Sequence, residues 1–271
     1  MHPRSRPLLL ALLLLAALPA APASPAMAAE PADGPAAAPE QGPVFSPGES
    51  LVFRVSYLGM SVGRAVAVVG AGTEVDGRKV WPIVGTARTD PFYSFWPVKD
   101  RFVTWWDPVE KSSIGSEFHA DHNKWRRRER VRYDRKALTA SFLCEKEYAP
   151  RFEETVAIEP DTRDIIAALY TLRQRRLAVG DHEEISVYTG KHIFPMKVDV
   201  QRTEELEVGA GKFDAVIAKV EVEFSGKTAT KKMEMAFSND ARHIPLKMDA
   251  EFLFGAIVAE LQSYEKGVSR P

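Results

Sequence analysis

Apolar and polar side chains alternate along most of the chain, the pattern expected of β-strands with one buried and one solvated face. Residues 51–57 and 216–224 show it most clearly, with an aliphatic or aromatic residue at every second position. Turn signals such as Asp76-Gly77 and Ser225-Gly226 separate the runs. The predicted strands cover residues 51–57, 62–69, 79–89, 98–107, 112–119, 125–133, 138–147, 196–208, 216–224, 233–237, 246–254 and 257–264.

One segment between the two sets of strands has a helical period instead. Ile165, Ala168, Leu169 and Leu172 recur at helical spacing, so the pattern predicts an amphipathic helix over residues 161–177. Asp161 is the predicted N-cap, and Gly180 is expected to stop the helix. A single amphipathic helix must bury its row of apolar side chains against a sheet. The predicted fold is therefore mainly β, a large curved antiparallel sheet or half-barrel of about twelve strands with the helix on its concave side.

The N-terminus has the order of a secretory signal peptide. Arg4 and Arg6 precede an apolar run of 11 residues, 8–18, which is well short of the roughly 20 residues that span a bilayer. We expect cleavage after Ala28, with Ala21-Pro22-Ala23 as the alternative site. The predicted organisation is a signal peptide at 1–28, a flexible Ala/Pro-rich leader at 29–43 and one β-rich domain at 44–268, with no transmembrane segment in the mature protein. The expected location is the periplasm, with the extracellular space as the alternative.

Composition narrows the function classes. A net charge of −1 argues against general binding to nucleic acid. The single cysteine, Cys144, cannot form an internal disulfide, and its phase with Ala140 and Phe142 predicts a buried, inert thiol.

Two short motifs could suggest catalysis, but neither has the context that catalysis requires. Residues 59–63 match the G-x-S-x-G string of serine hydrolases. That motif needs a strand-to-helix turn, whereas strands are predicted on both sides here, so a hairpin turn is the better interpretation. His119-Ala120-Asp121-His122 could contribute metal ligands, but its position between predicted strands favours a polar loop. We predict no catalytic residue, no metal site and no cofactor.

Two surfaces are candidates for ligand binding. One is an arginine-rich strand, which suits an anion site or, alternatively, a solvated face paired with carboxylates such as Glu145 or Glu153. The other is an aromatic cluster, in which Trp105 and Trp106 must face opposite sides of a strand. The candidate residues are Phe92, Tyr93, Phe95, Trp96, Trp105, Trp106, Arg126, Arg128, Arg130 and Arg132.

Several stretches together resemble a bacterial family catalogued as domain of unknown function 3108. They include Pro47-Gly48-Glu49-Ser50-Leu51, Trp96-Pro97-Val98-Lys99-Asp100 and the run from Asp164 to Arg173. The resemblance covers roughly residues 45 to 265. It implies an exported β-rich domain and brings no established activity, cofactor or catalytic residue. Similarity to half-barrel lipoprotein carriers is a fold-level analogy.

These observations favour a non-catalytic periplasmic protein of the cell envelope that binds a lipid or another amphipathic molecule. The aromatic cluster would line a hollow in the sheet, and the arginine strand would meet an anionic headgroup. One alternative is an envelope scaffold that contacts a protein partner through the aromatic cluster. A weaker alternative is a hydrolase, which would need His119 or His122 beside a nucleophile or metal in a cleft.

Overall fold

The computed structural model describes residues 44–90, 97–122, 125–190, 192–224, 227–228, 232–252 and 255–268. The predicted signal peptide and leader lie outside these residues. The elements are β1 (Ser50–Tyr57), β2 (Met60–Val69), β3 (Thr73–Val75), β4 (Arg78–Thr89), β5 (Val98–Asp107), β6 (Ser112–His122), β7 (Trp125–Asp134), β8 (Thr139–Lys146), β9 (Ala149–Ala157), α1 (Ile165–Leu172), β10 (His182–Tyr188), β11 (Ile193–Val208), β12 (Gly211–Phe224), β13 (Lys227–Thr228), β14 (Lys232–Ser238), β15 (Pro245–Phe252) and β16 (Gly255–Glu265).

The strands form one antiparallel sheet, as the alternation predicts. Its order is β10-β11-β12-β14-β15-β16-β1-β2-β4-β5-β6-β7-β8-β9, with β3 paired to β4 and β13 paired to β12. The described residues contain 16 strands rather than about twelve. The additional strands are β3, β9, β10 and β13. β3 and β13 are only 3 and 2 residues long, too short for a period to show.

The sheet is not closed. Within the described ranges no ladder joins β9 to β10, and these strands end the order. The segment just before α1 crosses this gap: the Arg163 N–H donates to the Ser186 carbonyl at 2.9 Å, and the Tyr188 N–H donates to the Arg163 carbonyl at 2.8 Å. We call the gap between β9 and β10 the seam.

The helix is shorter than the pattern predicts. It runs from Ile165 to Leu172, and its N-cap is Asp164, whose carboxylate accepts a hydrogen bond from the Ala167 N–H. The prediction of Asp161 as N-cap and of a helix over 161–177 is therefore wrong. Arg163 is extended in its bridge to Val187, so the helix cannot start earlier. Its end at Leu172 places Arg173 at the C-cap.

The helix packs on one face of the sheet, which we call the inner face. Ala168 and Leu172 belong to an apolar cluster with strands β10–β12, β14 and β15. Ala167 and Tyr170 pack with residues of β2, β4 and β5 instead, in a second cluster. The helix therefore buries its sides against strands from both halves of the sheet.

Candidate functional site

Of the predicted aromatic site residues, the structure places Trp105 and Trp106. Phe92, Tyr93, Phe95 and Trp96 lie outside the described residues. Trp106 is 1% exposed and packs edge-on against Phe45, with ring centroids 5.4 Å apart. Trp105 is half-buried and faces the other side of β5. As predicted, the two indoles point to opposite faces, and Trp106 is part of the core.

The arginine-rich strand is β7, and its four predicted site residues lie on the outer face. Arg126, Arg128, Arg130 and Arg132 are all exposed. Carboxylates from neighbouring elements pair with three of them, namely Asp121 with Arg126, Glu117 with Arg130 and Asp76 with Arg132. Arg128 lies opposite Glu145 of β8 in the register. The structure therefore agrees with the solvated, carboxylate-paired face, and the arginines lie on the opposite side of the sheet from α1.

The same strand carries charge on its inner face as well. Arg127 Nε lies 3.2 Å from Glu129 Oε1, with both side chains less than 10% exposed. On β6 and β5, His122 Nε2 lies 2.5 Å from Asp100 Oδ1, and both of these side chains are also buried. We call these four residues the inner polar cluster. The sequence contains a signal for part of this cluster, because Arg127 and Glu129 are in phase with Val131 and Tyr133 on an otherwise apolar strand face.

The inner polar cluster is continuous with an aromatic wall. The Arg127 guanidinium lies 5.4 Å from the ring centroid of Phe118. The ring centroids of Phe118 and of Phe102, on the neighbouring strand, are 6.3 Å apart. Asp100 Oδ2 is buried and has no hydrogen-bond partner among the described residues. A buried acceptor of this kind costs free energy unless a donor reaches it.

A small cavity adjoins this wall, where the N-terminus of α1 meets the seam. Its volume is about 40 Å³. Its lining combines apolar rings with polar groups: Phe102, Ser116, Phe118, Glu129, Val131, Phe142, Asp164, Ile165, Tyr188 and Thr189. Tyr188 ends β10, Thr189 follows it directly, and Phe142 lies on β8, so the cavity wall includes side chains from both sides of the seam.

Burial dominates the acid–base properties of the cavity. Desolvation raises the pKa of the Asp164 carboxyl, although the Ala167 N–H and the Thr104 hydroxyl donate hydrogen bonds to it and partly oppose the shift. Burial also raises the pKa of Tyr188, whose phenol donates to the Gly190 carbonyl at 3.1 Å. Both groups therefore favour their neutral forms more than they would in water.

The predicted polar loop around His119 is wrong, because residues 119–122 belong to β6. His119 and Asp121 point to the outer face, whereas His122 points inward, so their side chains diverge. Among the described residues no group of three or more His, Cys, Asp or Glu side chains could hold a metal ion.

Cys144 is buried, as predicted, and desolvation together with a hydrogen bond to Glu129 raises the pKa of its thiol. In the β7–β8 register Cys144 lies opposite Glu129.

Residues 58–59 form the turn between β1 and β2, as the hairpin interpretation of the G-x-S-x-G string predicts. None of the helices in the described ranges is long and apolar enough to cross a membrane.

Comparisons with known proteins identify a family and a fold. A family model described as "Protein of unknown function (DUF3108)" matches residues 52–262. No curated protein matches the chain significantly. A crystal structure of a beta-barrel-like protein of domain of unknown function DUF1849 from Brucella abortus aligns with a TM-score of 0.55 and 9% identity, covering 82% of this chain and 99% of that one. A protein with a YmcC-like fold from Bacteroides fragilis aligns at a TM-score of 0.33 and 9% identity, over 82% and 97% of the two chains.

Proposed function

The chain belongs to this family of proteins of unknown function, DUF3108, and from that premise we propose that it is a non-catalytic, exported protein of the cell envelope that binds a small amphipathic ligand. The observation that carries the proposal is the cavity at the seam, where an aromatic wall adjoins buried charged groups. Ligand sites combine apolar walls with a few placed polar groups in this way. The signal-like N-terminus supports export.

The ligand must widen the cavity in order to enter. About 40 Å³ accommodates a water-sized guest, whereas ligand sites usually enclose roughly 300–1,000 Å³. The seam provides the freedom to widen, because strand pairing does not close it. Two backbone hydrogen bonds, both made by Arg163, cross it in the described ranges. Moving β10 away from β8 would therefore enlarge the cavity and leave the ladders of the sheet intact.

The inner polar cluster indicates the chemistry of the ligand's polar end. Asp100 Oδ2 is a buried acceptor with no hydrogen-bond partner in the part of the chain that the structure describes, and His122 contacts the other oxygen of the same carboxylate. A hydroxyl or amine on the ligand would satisfy that acceptor. The apolar part would then lie along Phe118 and Phe102 towards the cavity. We therefore propose a lipid-like molecule with a hydrogen-bond donor in its headgroup.

Native mass spectrometry of the protein purified from cells expressing the full chain tests this proposal. We expect a bound species that organic solvent extracts and that contains an acyl or similar apolar chain. Ser116→Val fills the cavity with two methyl groups and should reduce the bound fraction severalfold. Ser141→Val, which changes the outer face of β8, is the matched control and should leave it unchanged. A protein that carries no extractable molecule and does not bind an acyl-chain fluorophore would contradict the proposal.

Exposed apolar side chains favour a second candidate, an envelope scaffold. Leu58, Met60 and Tyr148 are 60%, 53% and 84% exposed. They lie at the same end of the antiparallel sheet, in or beside the turns that join β1 to β2 and β8 to β9. Crosslinking in intact cells separates the two functions, because a scaffold would capture a protein partner at these positions and co-purify with no lipid.

A further inference from the structure

Four cationic side chains form one row across the outer face of the sheet. The register places them directly opposite one another on β1, β2, β4 and β5, and we call them the cationic row: Arg54, Arg64, Arg88 and Lys99. All four are exposed. Lys99 also lies opposite Asp121, which lies opposite Arg126, so the row shares the outer face with the arginines of β7. Because neighbouring strands lie about 4.8 Å apart, the row is roughly 14 Å long.

Most of the cationic row has no carboxylate partner. Arg54, at one end, pairs with Glu260 at 2.7 Å. Arg64, Arg88 and Lys99 form no ion pair with any residue that the structure describes. Like charges directly opposite in a ladder are destabilising, and the row contains three such contacts. An anion from outside the chain would offset that cost.

Other ladders of the sheet set opposite charges against each other on this face. Lys197 lies opposite Glu221, and Lys219 lies between Asp199 on one neighbouring strand and Glu234 on the other. These strands neutralise their exposed charges within the chain, as cross-strand pairs commonly do. The cationic row departs from that arrangement, which makes it a binding surface rather than an ordinary solvated face.

An exposed apolar turn lies at one end of the strands that carry the row. Leu58 and Met60, in and beside the turn between β1 and β2, are 60% and 53% exposed. Arg54 and Arg64 lie four residues away from them on β1 and β2, about 13 Å along the strands. The headgroup layer of one leaflet is roughly 5–8 Å thick, and arginine side chains extend to place their charge in that layer. A turn that enters the acyl chains would therefore bring the cationic row within reach of the phosphates.

We propose that the cationic row and the β1–β2 turn together form a docking surface for a bilayer that contains anionic phospholipid. Leu58 and Met60 enter the acyl chains, and the row contacts the phosphate groups. Peripheral binding to membranes depends on this combination of buried apolar area and attraction to anionic lipid. A soluble polyanion would use the row but not the turn, so the turn favours the bilayer. None of these residues lines the seam cavity, so the docking surface is independent of the proposed ligand site.

Cosedimentation with vesicles tests the row. The protein purified from cells expressing the full chain should bind vesicles of equal parts phosphatidylglycerol and phosphatidylcholine, and bind phosphatidylcholine vesicles far more weakly. Arg64→Gln/Arg88→Gln should lower the partition coefficient about 25-fold, since each basic residue at an anionic surface contributes about fivefold. Arg202→Gln/Lys219→Gln is the matched control, because it removes the same charge from two exposed, ion-paired positions. Equal losses in the two double variants, or equal binding to both kinds of vesicle, would overturn the proposal.

Substitution in the turn separates a bilayer from a soluble polyanion. Leu58 has φ +49°, which asparagine tolerates, so Leu58→Asn should fold normally and weaken vesicle binding severalfold. Val109→Asn is the matched control, because Val109 is 84% exposed in the turn between β5 and β6, at the opposite end of the sheet. It should bind vesicles as the wild type does. A Leu58→Asn variant that binds vesicles normally, or a wild-type protein that binds inorganic polyphosphate but not the vesicles, would overturn the proposal and leave the ligand proposal standing.

Discussion

Arg173 carries its guanidinium into the interior, where the side chain is 0% exposed. Its Nη1 and Nη2 donate to the two carboxylate oxygens of Glu49 at 2.7 and 2.9 Å. The rings of Tyr170 and Phe45 flank it, with centroids 4.9 and 5.4 Å away. A bidentate, aromatic-flanked pair of this kind ties the segment before β1 to the end of α1.

Arg173→Met should destabilise the domain by about 3–5 kcal/mol, because it leaves the Glu49 carboxylate buried and unpaired. Arg176→Met is the matched control. Arg176 pairs with Asp181 while its own side chain is 81% exposed, so its loss should leave the free energy of unfolding nearly unchanged. Urea unfolding followed by circular dichroism measures both. Equal unfolding free energies for the two variants would contradict a structural role for the buried pair.

The Asp164 carboxyl should make stability depend on pH. Burial raises its pKa in the folded state above the unfolded value of about 3.9. Its contribution to stability is therefore fully present below about pH 3.9 and is lost as the pH rises through the folded-state pKa. Asp164→Asn keeps the Oδ1 acceptor of the N-cap without the titration. The variant should gain stability relative to the wild type between pH 3 and pH 7, measured by urea unfolding at each pH.

Asp181→Asn is the control of opposite sign. The pKa of Asp181 is lowered by its hydrogen bond from Arg176. Its contribution is present above the unfolded pKa and is lost as the pH falls through the folded-state pKa. Asp181→Asn should therefore lose stability relative to the wild type as the pH rises. Parallel pH profiles for the two variants would show that Asp164 does not titrate as its burial requires.

At the scale of elements, the end of β10 is held against β8 by a close approach of backbone to an aromatic ring. Gly190 has φ +81°, and a Cβ added there would lie 2.3 Å from a ring carbon of Phe142. Gly180 has a similar φ of +92° with no atom within 4 Å of such a Cβ. Both glycines therefore need a positive φ, but only at Gly190 would an added Cβ collide with a neighbouring side chain.

Gly190→Ala should therefore cost more than Gly180→Ala. Both pay roughly 1–2 kcal/mol for the left-handed backbone. Gly190→Ala should add about 1–3 kcal/mol, because Phe142 must move or β10 must withdraw from β8. Urea unfolding of the pair measures the difference, and near-ultraviolet circular dichroism should change for Gly190→Ala alone. Indistinguishable variants would mean that β10 is not packed on Phe142 in solution.

At the scale of the whole molecule, the sheet runs without interruption from β10 through β1 to β9, and the seam is its weak line. The central strand β1 has ladders to both β16 and β2. In the described ranges the seam has instead the two Arg163 backbone hydrogen bonds and a 3.0 Å hydrogen bond between the Thr162 and Ser186 hydroxyls. Local opening follows such differences in the number of contacts, so the seam should open without global unfolding.

Hydrogen exchange measures this opening directly. The amides of Arg163 and Tyr188 should exchange at least about tenfold faster than those in the middle of β1, because only global unfolding exposes the latter. Exchange at equal, global rates would mean that the seam does not open independently. It would also weaken the proposal that a ligand enters there.

Local alternation sufficed to predict the strands with one solvated and one buried face, because the alternating residues themselves show which face of the strand is buried. β12 and β15 lie where the period places them, and the outer face of β7 is solvated. β9 was missed because both of its faces are exposed, so no alternation marks it. The helix was predicted at the correct place but too long, since the bridge between Arg163 and Val187 that delays its start joins residues far apart in sequence.

The sequence by itself determined the class of the fold, one antiparallel sheet with a single described helix, because period and turn chemistry are local properties. Tertiary structure alone decided where the sheet stays open, which strand is left at the edge, and that Asp100, His122, Arg127 and Glu129 share an interior. Those outcomes depend on which strands become neighbours. The Asp100–His122 pair joins β5 and β6, so the sequence does not show it, whereas Arg127 and Glu129 lie two residues apart on β7.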